Sequence, residues 1–395
     1  MKDLKNKNIL FITHTYFAFE KDQIETLSKY FNKVYVIVRY KPISEIASLL
    51  AISSFKPHMY KNCVDETNLP HNVTLFIAPL YYLPLNYWYK KLGEIHLNKT
   101  IQIINKNNIQ FDIVHGQFSW TGGYVAVKLK EIYNVPAIVT AHGGDVYDYP
   151  FIDDEWRVNT SYVFNNCNAL ITVSHKNKKI LDELSVKNPV YVIPNGFNIN
   201  QFKTIDKNEA RRKHDLPSDK NIIITVGHLE PVKGHIYLIK AINELKVKYN
   251  YFDKLLFLIV GDGSQMPVLK KLSKNLGIEE NILFLGHLNH DNIPELISAS
   301  DLFVLPSLNE GNPTVMFEAL GCGVPFVSTN VGGVEEIINS DLYGYTCPPK
   351  NCSELASTIL KGLSKKWDSS EIIKYSQNYT WDKVCEEIIE VYSQV

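Results

Sequence analysis

Short apolar runs, each bounded by polar or turn-forming residues, recur along the first half of the chain. They predict strands over Asn8–Thr13, Val34–Val38, Val73–Ile77, Phe111–His115, Pro136–Thr140, Leu170–Ser174 and Val190–Ile193. Apolar residues at helical spacing lie between strands, for example over Gln23–Phe31 and near Ile46–Ile52. Strands that alternate with helices predict a parallel, doubly wound α/β sheet.

The same alternation begins again after residue 220. It predicts a second series of strands over Ile222–Val226, Leu255–Val260, Ile282–Leu285 and the run that starts at Leu302, with helices over Tyr237–Tyr249, Thr314–Leu320 and Trp381–Tyr392. Between the two series, Pro194-Asn195-Gly196-Phe197 is typical of a turn, and the polar stretch Asn198–Lys220 is predicted to be a linker. The sequence therefore predicts two α/β domains that meet near residue 200.

Length, charge and hydropathy limit the number of domains, the kind of partner and the location that the sequence allows. At 395 residues the chain suits two or three domains. Its formal net charge is −1, so no global field favours nucleic acid as a partner. No run of about 20 apolar residues occurs, and the first apolar stretch, Ile9–Ile12, is too short for the core of a signal peptide. We expect a cytoplasmic protein.

The sequence lacks the patterns that are typical of metal sites. Its six cysteines have neither Cys-x-x-Cys spacing nor the cysteine–histidine spacing of zinc sites, and we expect reduced thiols. No Asp-x-Asp triplet offers paired carboxylates to a divalent cation. We therefore expect neither a metal nor a bound cofactor.

The stretch from Glu310 to Pro325 carries the clearest chemistry. It follows the strand that starts at Leu302, and Thr314–Leu320 suits a helix that ends at Gly321. A helix start after a strand offers unpaired backbone N–H groups to an anion such as a phosphate. Every residue of this turn except its proline has an N–H to donate. The turn comprises Gly311, Asn312, Pro313, Thr314 and Val315.

Two carboxylates frame this turn. Glu310 precedes it, and Glu318 lies about two helical turns further on, on nearly the same face. Carboxylates accept paired hydrogen bonds from neighbouring hydroxyls, as sugar-binding sites require. The alternative is that both glutamates are solvated and bind nothing. The flanking Pro306-Ser307 argues against this alternative.

The motif around these residues resembles that of the retaining GT-B glycosyltransferases of the group-one type, glycosyltransferase family 4. That family has Pro-Ser, a glutamate, seven residues and Glu-Ala, followed by Gly-x-Pro. The chain has Pro306-Ser307, Glu310, Glu318-Ala319 and Gly323-Val324-Pro325. The resemblance implies GT-B architecture, with two Rossmann-like domains facing each other across a cleft.

The resemblance also implies a role for each part of the chain. Residues 1–198 form the acceptor-side domain, and residues 199–378 form the donor domain, which binds the nucleotide sugar. Residues 379–395 form a terminal helix that packs back on the first domain. In this family Pro-Asn-Gly, here Pro194-Asn195-Gly196, marks the passage between the domains.

Residues of the donor domain follow from the same resemblance. Lys233 is the partner of the donor's phosphates, Glu310 orients the hydroxyls of the sugar, and Glu318 holds the ribose. His228 stands where the family has an arginine, which is not a conservative change. The other candidates for donor binding are the turn from Gly311 to Val315 and the residues Gly227, Gly261, Asp262, Leu288 and Asn195.

The replacement at position 228 leaves three interpretations open. They are an enzyme with a tuned site, an enzyme with a different donor, and a weakened site. We favour the first, because Lys233, Glu310, Glu318 and His142 are all present.

His142 lies at the predicted carboxyl end of a strand, where doubly wound sheets bind ligands. A single histidine is more often structural, but the family has His-Gly-x-Asp at this place. The resemblance therefore puts His142 beside the transferred sugar, and Asp145 is expected to anchor the loop. The family's Gly-Gly loop after the first strand is replaced here by His14–Glu20.

An aromatic cluster has two interpretations. Ordinary packing of a helix against the sheet is favoured over peripheral contact with a membrane surface, at the inner face of a membrane. Lys90 and Lys91 would suit the second interpretation. The cluster comprises Tyr81, Tyr82, Tyr87, Trp88 and Tyr89.

The sequence therefore predicts a retaining hexosyltransferase that uses a nucleoside-diphosphate sugar without a metal. Its acceptor would be a hydroxyl of a glycan or lipid-linked molecule in surface polysaccharide or glycolipid synthesis. A sugar-nucleotide binding protein with little or no turnover is the alternative. A nicotinamide dehydrogenase ranks lower, because no Gly-x-Gly-x-x-Gly follows the first strand. A GT-B epimerase would lack the pairing of Glu310 with Glu318. Donor sugar, base, acceptor and oligomeric state stay open.

Overall fold

A computed structural model describes residues 4–45, 59–82, 85–248 and 252–395. The chain divides into two compact units. The first unit contains the residues up to Asn195 together with Trp381–Val395, and the second contains Gly196–Thr380. The short helix predicted near Ile46–Ile52 lies outside the described residues.

The first unit is built on a seven-stranded parallel sheet with the order β3-β2-β1-β4-β5-β6-β7. The change of direction at β1 is that of a doubly wound sheet, so this prediction is confirmed. The strands are β1 (Asn8–Thr13), β2 (Lys33–Tyr40), β3 (Val73–Pro79), β4 (Ile113–Gln117), β5 (Ala137–Ala141), β6 (Ala169–Thr172) and β7 (Val190–Val192).

Helices cover this sheet. The helix predicted over Gln23–Phe31 begins five residues earlier and ends three residues earlier, as Ala18–Ser28. The described helices of the first unit are Ala18–Ser28, Tyr60–Cys63, Asn86–Asn107, Tyr124–Tyr133, Gly144–Tyr147, Asp154–Asn166, His175–Glu183 and Trp381–Ser393.

The last helix of the chain completes the core of the first unit. Its residues Val384 and Ile388 are buried in one cluster with Phe11 of β1 and Val36 of β2. The hydroxyl of Tyr392, also on this helix, lies 2.5 Å from Nδ1 of the buried His115.

The second unit is built on a six-stranded parallel sheet with the order β10-β9-β8-β11-β12-β13. The last two strands were not predicted, because each combines only two apolar residues with polar or glycine residues and so lacks the apolar run that marks β11. The strands are β8 (Asn221–Val226), β9 (Leu255–Val260), β10 (Ile282–Gly286), β11 (Leu302–Leu305), β12 (Phe326–Thr329) and β13 (Gly344–Cys347).

The predicted linker Asn198–Lys220 is wrong in part, because it contains the helix Lys207–Lys213. Its Arg211 is buried and donates to Asp301 Oδ2 over 2.8 Å. An ion pair between the buried Arg211 and the half-buried Asp301, rather than an apolar stripe, holds this helix, so apolar periodicity did not reveal it. The described helices of the second unit are Lys207–Lys213, His235–Lys248, Met266–Asn275, Ile293–Ser298, Thr314–Gly321, Val334–Ile337, Cys352–Ser364 and Ser369–Ser376.

Both sheets collect the carboxyl ends of their parallel strands at one edge, where loops carry most of the polar side chains singled out above. Within the described ranges, no helix combines the length and the apolar character needed to cross a membrane.

Candidate functional site

Lys233 and Glu310 form an ion pair in the second unit. Lys233 Nζ lies 2.7 Å from Glu310 Oε1, and the hydroxyl of Ser307 donates to the same oxygen over 2.6 Å. Glu310 is buried, whereas the Lys233 side chain keeps 27% of its surface exposed. The sequence predicted both residues but not their contact.

Close contact between two loops brings the pair together. Gly234, which follows Lys233, has φ +66° and touches the carbonyl oxygen of Pro306, so that any Cβ at this position would overlap that oxygen. The Leu308 N–H donates to the Val232 carbonyl over 2.7 Å. The loop that carries Lys233 therefore lies directly on the loop that follows β11.

The end of β12 supports the Glu310 loop from its other side. Thr329 Oγ1 donates to the carbonyl of Ser307 over 2.5 Å, and the Gly333 N–H donates to the carbonyl of Gly311 over 2.8 Å. The backbone is therefore held by a hydrogen bond on each side of Glu310, which restricts the direction of its side chain.

The arrangement leaves chemistry available at both partners. An ammonium has three N–H donors, and one of those of Lys233 is given to Glu310. Both hydrogen bonds to Glu310 end on Oε1, so Oε2 has no partner among the described residues. A cation and a free carboxylate oxygen thus lie side by side, as recognition of a sugar phosphate requires.

The turn from Gly311 to Val315 leads into the helix Thr314–Gly321, as predicted. Pro313 occupies the position before the first helical residue, and no side chain caps the helix. Its first backbone N–H groups are therefore available to an anion. Asn312, within the turn, is buried.

Glu318 lies on this helix and is buried. Its Oε1 is 3.7 Å from Nε2 of His290, whose Nδ1 lies 3.1 Å from Gln201 Nε2. The two predicted glutamates therefore have different partners, an ammonium and an imidazole. His290 was not singled out from the sequence, where it stands in a polar stretch without a motif.

The remaining predicted residues of the second unit sit on turns after neighbouring strands. Gly227 follows β8 and its N–H donates to the Val260 carbonyl over 3.0 Å, while the N–H of Gly261, after β9, donates to the Gly286 carbonyl over 2.8 Å. Asp262 Oδ1 accepts from the next N–H, that of Gly263, over 2.8 Å. These backbone contacts align the turns along the carboxyl edge of the sheet.

His228 and Leu288 differ in exposure. His228 is exposed, and the partial removal of its ring from water, together with the Lys233 ammonium, lowers its pKa below the usual value of 6.5. Leu288 is half-buried against the core of the second unit, which leaves its backbone as the group that could meet a ligand.

His142 lies in the first unit, directly after β5, and is buried. Its Nε2 is 2.7 Å from Gln117 Oε1, and Gln117 Nε2 donates to Gln23 Oε1 over 2.7 Å. Because Gln117 uses its amide nitrogen on Gln23, its oxygen must accept, so His142 carries its proton on Nε2. Nδ1 is then an acceptor, and it has no partner among the described residues.

Burial lowers the pKa of His142 to about 3, so the ring is neutral. The rings of Phe118 and Phe19 enclose it, with centroids 4.5 and 5.3 Å from that of the imidazole. Neither Gln117 nor Phe118 was predicted, because a side chain at a strand end gives no local signal of which loop it meets.

Asp145 accepts hydrogen bonds from the N–H groups of Gly143 and Ser119, each over 2.8 Å, and so anchors the loop after His142. Asn195 is the last residue before the second unit and is buried. Asn195 and His142 thus belong to a different compact unit from the other predicted residues.

Within the described ranges, no group of three or more histidine, cysteine, aspartate or glutamate side chains could hold a metal ion. The cysteines of the chain are free thiols, and all except the half-buried Cys352 are buried.

The aromatic cluster divides between two environments. Tyr81, Tyr87 and Trp88 are exposed, whereas Tyr82 and Tyr89 are half-buried. The Tyr89 ring packs 5.8 Å from that of Trp156, so packing against a neighbouring helix accounts for this part of the cluster.

Two family models match the chain. The model "Glycosyl transferases group 1" matches residues 206–379, and "Glycosyltransferase Family 4" matches residues 53–201. Together they span most of both units.

Curated relatives agree with these models. The uncharacterized glycosyltransferase MJ1607 of Methanocaldococcus jannaschii is 29% identical over 320 residues, which is 77% of each chain. The putative teichuronic acid biosynthesis glycosyltransferase TuaC of Bacillus subtilis is 28% identical over 264 residues, 66% of this chain and 64% of that protein.

Solved structures show the same fold. Sucrose-phosphate synthase from Thermosynechococcus elongatus superposes with a TM-score of 0.77 at 19% identity, covering 98% of this chain and 99% of that one. Anabaena Alr3699/HepE, solved in complex with UDP-glucose, superposes with a TM-score of 0.75 at 21% identity, covering 99% and 100%. The chain therefore belongs to the family 4 glycosyltransferases of the group-one type, and is a glycosyltransferase of polysaccharide or glycoconjugate synthesis with the GT-B fold.

Proposed function

We propose that this enzyme transfers a hexose from a nucleoside-diphosphate sugar to a hydroxyl of a glycan or lipid-linked acceptor, with retention of the anomeric configuration. The contact between Lys233 and Glu310, beside the uncapped start of the helix Thr314–Gly321, carries the proposal. It offers a cation and amides to a diphosphate, and a carboxylate oxygen to sugar hydroxyls. The Anabaena structural neighbour, solved with UDP and with UDP-glucose, supports a donor of this class.

In this reaction the bond between the anomeric carbon and the diphosphate oxygen breaks. The bond from that carbon to the acceptor oxygen forms on the same face, and the acceptor proton passes to the departing diphosphate. Negative charge therefore grows on the leaving diphosphate. Fixed cations and N–H groups stabilise such charge most where it develops.

Each side chain has a defined task on this pathway. Lys233 uses the two N–H donors that Glu310 leaves free to hold the diphosphate. Glu310 Oε2 accepts a sugar hydroxyl and damps positive charge at the anomeric carbon. Glu318 accepts the ribose hydroxyls, and His142 accepts a hydrogen bond from the sugar at Nδ1.

We propose that no divalent metal takes part, because Lys233 and the turn amides supply the charge that a metal would supply. The acceptor is left open by the relatives, which are named for different ones: a D-inositol 3-phosphate glycosyltransferase of Actinosynnema mirum and an N-acetyl-alpha-D-glucosaminyl L-malate synthase of Bacillus anthracis.

Calorimetry of the purified protein against a panel of nucleotide sugars, with EDTA present, tests the donor site. We expect selective binding of one donor, lost in Lys233→Ala and in Glu318→Ala. Product formed from that donor on a glycan acceptor is then examined by NMR, and an anomeric configuration opposite to that of the donor would exclude retention. Activity that requires a divalent cation would exclude the metal-independent route.

A sugar-nucleotide binding protein without turnover is the second candidate. The exposed His228, which is neutral near pH 7 and replaces a forked arginine, favours it. Donor binding without transfer or hydrolysis in the same experiment would select this candidate.

A further inference from the structure

Arg39 in the first unit carries a positive charge that its surroundings do not neutralise. The residue lies near the carboxyl end of β2 and is half-buried. Both terminal nitrogens lie 3.4 Å from the Tyr89 hydroxyl, and Nη1 lies 3.5 Å from Thr121 Oγ1. These distances are at the outer limit for hydrogen bonds. Among the described residues, no carboxylate oxygen comes within 4.0 Å of the guanidinium.

Glu20, the acidic side chain whose charge would act on Arg39, is protonated near neutral pH. The hydroxyl of Thr13 is within donating distance of two acceptors, the Thr15 carbonyl at 2.9 Å and Glu20 Oε1 at 2.5 Å. Burial raises the pKa of Glu20 to about 8 in spite of these hydrogen bonds, so the carboxyl carries a proton at neutral pH.

The other titratable groups around Arg39 leave the charge in place. Burial and the guanidinium lower the pKa values of His14 and His96, so both rings are neutral. The two oxygens of Asp145 accept from the loop amides described above. Lys41, two residues further along the chain, adds a second cation, with its ammonium 4.8 Å from the ring of Tyr82.

The surroundings of Arg39 suit a polar ligand. The carboxyl ends of β1, β2 and β4 meet at this edge of the sheet, where doubly wound folds bind ligands. The hydroxyls of Tyr89 and Thr121 border the guanidinium. Removing a cation from water without an anionic partner is costly, so a site of this kind is completed by an anion.

We propose that Arg39, assisted by Lys41, binds an oxyanion of the acceptor, either the carboxylate of an acidic sugar or the phosphate of a phosphorylated acceptor. A planar guanidinium matches both groups with two parallel hydrogen bonds. The assignment of this anion to the acceptor rests on the proposed function and on the family resemblance, which implies that residues 1–198 form the acceptor-side domain. The acceptor is accordingly an anionic molecule rather than a neutral glycan.

Ligand-observed NMR titrations of the full chain with three small probes test the site. The probes are D-glucuronate, D-glucose 1-phosphate and the neutral methyl glucoside. We expect one or both anions to bind, with an affinity about tenfold or more lower in Arg39→Gln, since hydrogen bonds to charged groups are lost. Methyl glucoside should bind equally to both proteins. Glucuronate alone would select a carboxylate, and glucose 1-phosphate alone would select a phosphate.

Three further variants make the result specific. Arg157→Gln removes one exposed arginine of the same unit and should leave the binding of both anions unchanged. Lys233→Ala should leave the binding of D-glucuronate unchanged, and any binding of glucose 1-phosphate that is lost in Lys233→Ala but not in Arg39→Gln belongs to the second unit. Arg39→Lys keeps the positive charge but cannot donate two parallel hydrogen bonds, so it should bind the anions with intermediate affinity. This variant tests the site even where Arg39→Gln folds poorly.

Anion binding that is absent, or that does not depend on Arg39, would overturn the proposal. The nucleotide-sugar panel in the same samples keeps the two proposals apart. Donor binding that survives in Arg39→Gln while anion binding fails in every protein would leave the proposed function intact. Arg39-dependent anion binding without any donor binding would support the anion site and contradict the proposed function.

Discussion

Lys233 and Glu310 are 77 residues apart in the chain, yet Lys233 Nζ lies 2.7 Å from Glu310 Oε1. The contact joins the loop after β8 to the loop after β11, two strands that are neighbours in the sheet. Ser307 donates to the same oxygen, so Oε2 of Glu310 is left without a donor in the part of the chain that the structure describes. The proposed binding of the donor's diphosphate and sugar depends on this pair.

Replacing Lys233 by alanine should reduce turnover by about 100-fold to 1,000-fold, the cost of losing one group that stabilises developing negative charge. Initial rates with the donor identified by calorimetry would measure this. Lys271→Ala, which removes an exposed lysine of the same unit, should change the rate by less than about twofold. Turnover of Lys233→Ala within a factor of two of the wild type would end the assignment.

Replacing His228 by arginine should tighten binding of a nucleoside diphosphate by about three- to tenfold at pH 7.5. His228 is neutral there because its pKa is lowered, whereas arginine is always charged and can bind phosphate with two hydrogen bonds. Calorimetric titrations with the diphosphate measure the change. His228→Gln, a neutral control, should stay within about twofold of the wild type, and equal affinities of all three proteins would contradict the prediction.

Replacing Gly234 by alanine should destabilise the second unit, because the new Cβ would overlap the Pro306 carbonyl and the backbone has φ +66°. Gly277→Ala is a matched control, with φ +61° but only the flexible Lys246 ammonium, 3.3 Å away, near the new atom. We expect Gly277→Ala to cost about 1 kcal/mol and Gly234→Ala at least about 2 kcal/mol more. Urea unfolding followed by circular dichroism measures both, and equal costs would show that the loops do not touch as described.

The buried carboxyl of Glu20 should make the stability of the first unit depend on pH. Its pKa is about 8 in the folded chain against an ordinary value of 4.5, so the folded state holds a proton that the unfolded state has lost between these values. This stabilising contribution is therefore fully present below about pH 4.5 and is lost as the pH rises to about 8.

Glu20→Gln removes this titration and keeps the shape of the protonated acid. Relative to the wild type, its free energy of unfolding should be higher at pH 8.5 than at pH 5 by about 1 kcal/mol or more. Subtracting the two proteins cancels the histidines, whose protonation affects both alike. Glu183→Gln, at an exposed position of the same unit, should show no such difference, and a pH-independent result for Glu20→Gln would mean that the acid is charged.

The two sheets could be predicted because long apolar runs and their spacing are local properties of the chain. Every predicted strand is present, whereas β12 and β13, each with only two apolar residues, carried too little pattern. The helix Lys207–Lys213 was not predicted, because Arg211 and Asp301, rather than apolar residues, hold it in place. A helix that is held by an ion pair shows no apolar periodicity in its sequence.

The candidate site followed from the sequence only where a motif marks it. Glu310 and Glu318 are eight positions apart in one motif, but the partner of Glu318, His290, comes from a distant loop. The acceptor atom of His142 depends on Gln117 and Gln23, which lie on two other elements. Such contacts between distant residues arise from the topology of the sheet, and they cannot be predicted from a single sequence.

The helix Trp381–Ser393 also has a consequence for how the protein is made. His115 and Tyr392, whose side chains meet in the first unit, are 277 residues apart in the chain. A nascent chain that has left the ribosome up to Asn195 still lacks the helix that closes its own core over Phe11 and Val36. The unit whose synthesis begins first can therefore be finished only after the other has been produced in full, and until then its apolar surface is open to chaperones.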